Sequence, residues 1–170
     1  PIVLDEPETQ KRRDAVSGKP YRALMGCLLW MNMTRADTTY HTATLCQCMD
    51  DPSIEEWEAG LGVLSYLYAT RDLGLKYTRT PDGQSCKIDC YADSSFRYAK
   101  QPKPQAGFAI FVSGGAVSYS SRKLKIVPQS TCEAEIAACC NGAKSMMFVR
   151  SILTFLEFDI KMPMNLITDN

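Results

Sequence analysis

Three short acidic segments, met in a fixed order, constrain this chain more than any other feature. They are Cys90-Tyr91-Ala92-Asp93, Ser130-Thr131-Cys132-Glu133-Ala134-Glu135 and Leu166-Ile167-Thr168-Asp169-Asn170. The first and third read as strand ends, and the second as the start of a long helix. A fold that holds all three can bring two strand-end aspartates and a helix glutamate to one place. Carboxylate oxygens gathered in this way suit a hard cation such as Mg²⁺. Two such ions can bracket the attacking and leaving oxygens of a phosphodiester displacement.

The surrounding sequence predicts an α/β unit. Lys87-Ile88-Asp89-Cys90-Tyr91-Ala92-Asp93 alternates with a strand's period of two. Residues 107–112 form a second strand, Ser113-Gly114-Gly115 a hairpin turn, and 116–120 a third strand. A long helix follows from about Cys132 to Phe155, with Ile136, Cys140, Ala143 and Met147 on one stripe. Met164 to Thr168 is the last strand. Three antiparallel strands, a crossover helix and a parallel fourth strand make a mixed sheet.

Residues 20–69 read as helical. An apolar stretch from Tyr21 to Met33 follows Pro20, and Asp37 is placed to cap a second helix over about 38–49. Asp51-Pro52 breaks the chain, and Ser53-x-x-Glu56 is a capping box for a third helix with Trp57, Leu61, Leu64 and Leu67 or Tyr68 at helical spacing. Leu73 to Thr78 then reads as a short strand running into a Thr80-Pro81-Asp82-Gly83 turn. Residues 1–19 are polar and aperiodic, a linker in which Lys11-Arg12-Arg13 is a solvated charge run.

Composition narrows the function classes. The net charge is zero, without the strongly basic footprint of a stand-alone nucleic-acid binder. Residues 86–170 nevertheless hold 10 Lys/Arg against 7 Asp/Glu, a lean toward a phosphate-facing second half. Eight cysteines lack metal-finger spacing, and a lone histidine, His41, leaves no zinc cluster or Ser-His-Asp set. The cysteines read as reduced, small hydrophobes at apolar positions. No apolar run reaches membrane-spanning length and no secretory h-region opens the chain, so an intracellular protein without a membrane partner is expected. With Pro1 first and Asn170 last, the chain reads as a fragment.

The ordered motifs carry a resemblance. Tyr21-Arg22-Ala23-Leu24-Met25-Gly26-Cys27-Leu28-Leu29-Trp30, Thr34-Arg35-Ala36-Asp37, Glu56-Trp57, Val63-Leu64-Ser65-Tyr66-Leu67 and Thr70-Arg71-Asp72-Leu73-Gly74-Leu75 resemble the element that follows the reverse-transcriptase palm in copia-type LTR retrotransposon Pol polyproteins. Tyr91-Ala92-Asp93, Gly107-Phe108, Gly114 to Lys123, Ser130 to Glu135 and Asp169-Asn170 resemble the RNase H domain of the same family. Ala36, Glu56, Cys132 and Ile136 stand where the family usually has proline, histidine, threonine and tyrosine; none of these removes a catalytic carboxylate. The resemblance implies a linker over 1–19, a helical reverse-transcriptase tail over 20–80, and a C-terminally truncated RNase H-like domain over 86–170.

Site residues follow from geometry where it decides and from the resemblance where it does not. Asp93 and Asp169, at the ends of parallel neighbouring strands, are expected to lie roughly 5 Å apart. Asp89 shares a face with Asp93, but four strand residues put it about 13 Å away, too far to serve the same pair of ions. Glu133 and Glu135 do not share a helix face, and geometry leaves the choice open. The resemblance selects Glu135, leaving Glu133 to the helix N-terminal dipole. The implied catalytic and metal-binding set is therefore Asp93, Glu135 and Asp169, holding two Mg²⁺ ions or Mn²⁺. Arg122, Lys123 and Lys125 are candidate contacts to hybrid phosphates; an exposed solubilising turn is the competing reading. Trp57 and Tyr66 read as core packing rather than a base-stacking platform.

The implied activity is cleavage of the RNA strand of RNA–DNA hybrids during reverse transcription, with the rest of the Pol polyprotein as partner. The implied compartment is the cytoplasm, a virus-like particle or the nucleus. An inactive remnant with only a structural or nucleic-acid-binding role is the alternative. A fourth acidic ligand is expected beyond Asn170, which makes the chain alone a weak nuclease.

Overall fold

In a computed structural model of the protein, residues 10–11, 14–79, 85–95 and 104–169 are described. The chain divides into two compact units, Pro1–Gly74 and Leu75–Asn170. Arg12, Arg13 and the turn expected at 80–83 lie outside the described residues.

In the N-terminal unit, α1 spans Tyr21–Met31 and buries Tyr21, Met25 and Leu28, one helical face. Helix α2 covers Thr39–Leu45, flanked by 3₁₀ turns at Ala36–Thr38 and Cys46–Cys48. Helix α3 runs over Ile54–Ala69 behind the expected capping box, the Ser53 backbone N–H donating to the Glu56 carboxylate at 2.7 Å. The core joins Tyr21, Met25, Leu28, Leu45, Val63 and Leu67, with Trp57 packed against it. The buried Tyr21 hydroxyl donates to the Leu45 carbonyl at 2.9 Å, and burial pushes its pKa up to about 12.

Several sequence expectations are corrected here. Asp37 does not cap α2; it sits in the preceding 3₁₀ turn and accepts two hydrogen bonds from the buried Arg35 guanidinium, at 2.7 and 3.0 Å. Two further Arg35 donors reach the Thr70 carbonyl and hydroxyl, at 3.0 and 2.7 Å, so four of the five guanidinium N–H groups are paired. The buried face of α3 is Gly60, Val63 and Leu67, while Leu61, Leu64, Tyr66 and Tyr68 are exposed. Gly60 decides that face: a Cβ there would lie 2.9 Å from Leu24 Cδ2, so the closest approach of α1 and α3 falls where no side chain stands. Residues 73–78 form no strand, although the Thr78 N–H donates to the Ser113 carbonyl and the Tyr77 ring lies against Gly115.

The C-terminal unit is a four-stranded sheet in the order β3-β2-β1-β4 with one long helix on it. Strands β1 (Ile88–Ser95), β2 (Gln105–Val112) and β3 (Gly115–Lys123) pair antiparallel, and β4 (Asn165–Ile167) pairs parallel to β1. The mixed RNase H-like sheet expected from the sequence is therefore present. The β2–β3 hairpin turns through Ser113 and Gly114, both at positive φ, which matches the twist of the strands it joins.

Helix α4 spans Thr131–Phe155 and buries Ala134, Ala138, Gly142 and Met146 against the sheet. The expected stripe is overturned, with Ile136 58% and Met147 51% exposed. Small residues seat the helix close to Cys90, Ala92 and Phe108; a Cβ on Gly142 would meet Cys90 Sγ at 2.9 Å. Ile88 and Ile110, both fully buried, anchor the sheet core at about 1.5–3 kcal/mol each. All eight cysteines are free, but only Cys86 and Cys90 are buried, so the reading of most of them as core hydrophobes is also corrected.

Candidate metal centre

The order of the strands builds the site. β1 is central, with β2 on one side and β4 on the other. The parallel β1–β4 ladder ends at Tyr91↔Ile167, and Asp93 and Asp169 each stand two residues beyond that pair. They therefore occupy matching positions where the sheet narrows from four strands to three. Neither is a terminal strand residue as expected: β1 continues to Ser95, and β4 stops at Ile167.

Glu135 arrives from the first turns of α4. Carboxylate oxygens of Asp93, Glu135 and Asp169 all lie within 4.8 Å of one another, the one such group of three metal-ligating residues among the described residues. The two rival carboxylates, Glu133 and Asp89, are engaged elsewhere. Glu133 accepts from the Gln129 N–H at 2.7 Å while its own N–H donates to the Ser130 hydroxyl at 3.2 Å, a capping arrangement at the start of α4. Asp89 accepts from Lys87 at 2.9 Å and from Asn165 at 2.8 Å.

The donor set fits a hard divalent cation. All three side chains offer oxygen, and they come from three different elements. Glu135 Oε2 is buried and has no hydrogen-bond partner. A buried carboxylate oxygen without a donor is costly, and a cation beside it removes that cost.

Access to the two aspartates is open. A cleft of about 480 Å³ is lined by Tyr91, Asp93, Gly107, Phe108, Ile167 and Asp169, among others. Gly107 pairs directly with Asp93 across the β1–β2 ladder, so no side chain stands beside the aspartate there. Arg122, Lys123 and Lys125 are exposed and are not part of the carboxylate cluster. They line a separate groove of about 750 Å³ together with Asn141 and Lys144 of α4, and Gly107 and Phe108 line both hollows.

Two contributors escaped sequence reasoning. Lys144 shares a helix face with Ala137 and Asn141, a spacing that could have placed it beside the basic turn. Ser94 donates to Glu135 Oε1 at 3.1 Å; strand alternation alone sends it to the helix side of β1. His41 is exposed, with its ring edge-on to Tyr40, and Tyr66 is exposed rather than core, its hydroxyl donating to Asp37.

Fold and site together define an RNase H-like α/β domain with a carboxylate cluster at the mouth of its sheet. The chain is 28% identical over 151 residues to the retrovirus-related Pol polyprotein from transposon RE2 of Arabidopsis thaliana, covering 88% of this chain and 10% of that protein. It is 33% identical over 119 residues to a transposon Ty5-1 protein of Saccharomyces cerevisiae, covering 68% and 38%. It is also 28% identical over 132 residues to the secreted RxLR effector protein 161 of Plasmopara viticola, covering 76% and 91%. No protein-family model and no solved structure matches the chain. The chain is thus similar to the retrovirus-related Pol polyproteins of transposons, consistent with the copia type its motifs resemble. It spans about a tenth of the length of the first of these relatives. No helix among the described residues is long and apolar enough to cross a membrane.

Proposed function

We propose that this chain is the end of the reverse-transcriptase region, over 20–80, joined to an RNase H-like domain, over 86–170, that cleaves the RNA strand of RNA–DNA hybrids inside the cell. The observation that carries the reading is the convergence of Asp93, Glu135 and Asp169, with Glu135 Oε2 buried and unpartnered. These three residues would hold Mg²⁺. When bound, a pair of such ions supplies the Lewis acidity for attack of water on phosphorus and for departure of the leaving oxygen.

The chain's own residues do the rest. Asp93 and Asp169 face the open cleft, where a backbone phosphate can approach over Gly107 without meeting a side chain. Arg122, Lys123, Lys125 and Lys144 offer positive charge to phosphates further along the duplex. Strand choice would come from the 2′-hydroxyl and groove shape of the hybrid rather than from base identity. The remainder of the polyprotein is the natural partner.

The test is cleavage of a labelled RNA–DNA hybrid in Mg²⁺, by this chain and by a segment continuing past Asn170. RNA-strand cleavage that disappears in Asp93→Asn and Asp169→Asn is the expected result. A folded wild-type segment that leaves the hybrid intact would instead identify an inactive remnant. Cleavage that survives Asp93→Asn would place the chemistry elsewhere.

A further inference from the structure

We propose that Ser94 is the positioning residue that sets Glu135 for metal binding, an inference that rests on the metal-site reading above. Ser94 follows the ligand Asp93 on β1, and strand alternation sends the two side chains to opposite faces. The Ser94 hydroxyl donates to Glu135 Oε1 at 3.1 Å. The other oxygen, Oε2, is buried without a partner. One oxygen of the carboxylate is thus held by the strand and the other is left for a cation.

This contact does what the backbone alone cannot. Asp93 and Glu135 lie on different elements, and a glutamate side chain has three rotatable bonds with which to miss its target. Two consecutive residues of β1 supply one ligand and grip the other, so the spacing between the two ligands is fixed locally. Losing an outer group that orients a metal-ligating side chain typically costs about 10–100-fold in metal affinity. Ser95, one residue further, turns to the Gln105 carbonyl at 3.5 Å and takes no part.

The experiment titrates the 170-residue chain with Mn²⁺ alone, followed by the electron paramagnetic resonance of the free ion, for wild type, Ser94→Thr, Ser94→Val, Ser94→Ala and Glu135→Gln. Threonine and valine are isosteric and β-branched, so they differ in the hydroxyl and not in strand preference. Far-UV circular dichroism confirms that each variant is folded, and alanine stands in for valine if the latter is not. Affinity about tenfold weaker in Ser94→Val and Ser94→Ala, with Ser94→Thr close to wild type, is expected. Wild-type affinity in folded Ser94→Val or Ser94→Ala overturns the role of Ser94 while leaving the metal site standing. Wild-type affinity in Glu135→Gln, or no Mn²⁺ binding by wild type, overturns the metal-site reading and this inference together.

Discussion

Glu133 and Glu135 are two residues apart and do different work. Glu133 closes the cap of α4 at Ser130 and Gln129, whereas Glu135 joins Asp93 and Asp169. Glu133→Gln should therefore cost roughly 0.5–1 kcal/mol of stability and leave Mn²⁺ affinity unchanged. Glu135→Gln should leave the melting temperature nearly unchanged, or raise it slightly, and abolish ion binding. Calorimetric melting and ion titration of the two variants separate these outcomes. Cysteines divide as sharply. Burial, with nearby Cys139 adding to it, pushes the Cys90 thiol up to about 11, so it carries almost no thiolate at neutral pH. Cys27, Cys132 and Cys140 are exposed. Mass spectrometry after brief alkylation of the native protein should find those three modified and Cys90 untouched until denaturant is added. The two aspartates were legible because each stands near the end of an alternating strand, whereas Glu135 was told from Glu133 only by the resemblance. Ser94 was not legible, since a serine beside an aspartate at the end of a strand looks like the start of a loop.

At the scale of elements, strand alternation and the Ser53–Glu56 capping box were legible because each is a local rule with a local cause. The buried faces of the long helices were not. Sequence reasoning ranks positions by apolar size, and in α4 that ranking points to Ile136 and Met147, which face outward. What packs closest is the row Ala134, Ala138 and Gly142, because the sheet beneath presents Cys90, Ala92 and Phe108 at short range. Size and burial part company wherever backbones approach closely. Gly142→Ala tests the point. Helix propensity favours alanine by up to about 1 kcal/mol. The new Cβ, however, would sit 2.9 Å from Cys90 Sγ and 3.5 Å from Ala92 and Phe108. Overpacking of about 1–3 kcal/mol should win. A variant as stable as wild type in urea unfolding would mean that α4 lifts off the sheet without cost.

The whole molecule carries its own reporters. Both tryptophans, Trp30 and Trp57, belong to the N-terminal unit, so their fluorescence follows that unit alone. The hydrogen bonds from Arg35, with smaller help from Tyr66, hold Asp37 below the usual carboxylate range. A lowered folded pKa contributes stability at pH above the unfolded value of about 3.9 and loses it as pH falls through the folded value. Acid titration should thus weaken the fluorescence-monitored unit below about pH 4, and Asp37→Asn should flatten that dependence. The C-terminal unit has a different weak point. β4 adds only three residues to the sheet, all exposed, and its ladder joins Asp89 to Asn165, distant in sequence. Closing so long a loop for so short a ladder makes β4 the cheapest strand to detach. Just before it, the Lys161 N–H is held by the Cys86 carbonyl at 2.9 Å, so trypsin can cut after Lys161 only when this segment peels away. An ion gripped by Asp169 and by residues of β1 and α4 binds only the closed form, and at ten times its dissociation constant it reduces the open population about elevenfold. Mg²⁺ should slow cleavage after Lys161 by about that factor in wild type and not in Asp93→Asn. On the proposed metal-site reading, a short parallel strand would thereby tie resistance to proteolysis to the supply of divalent ions.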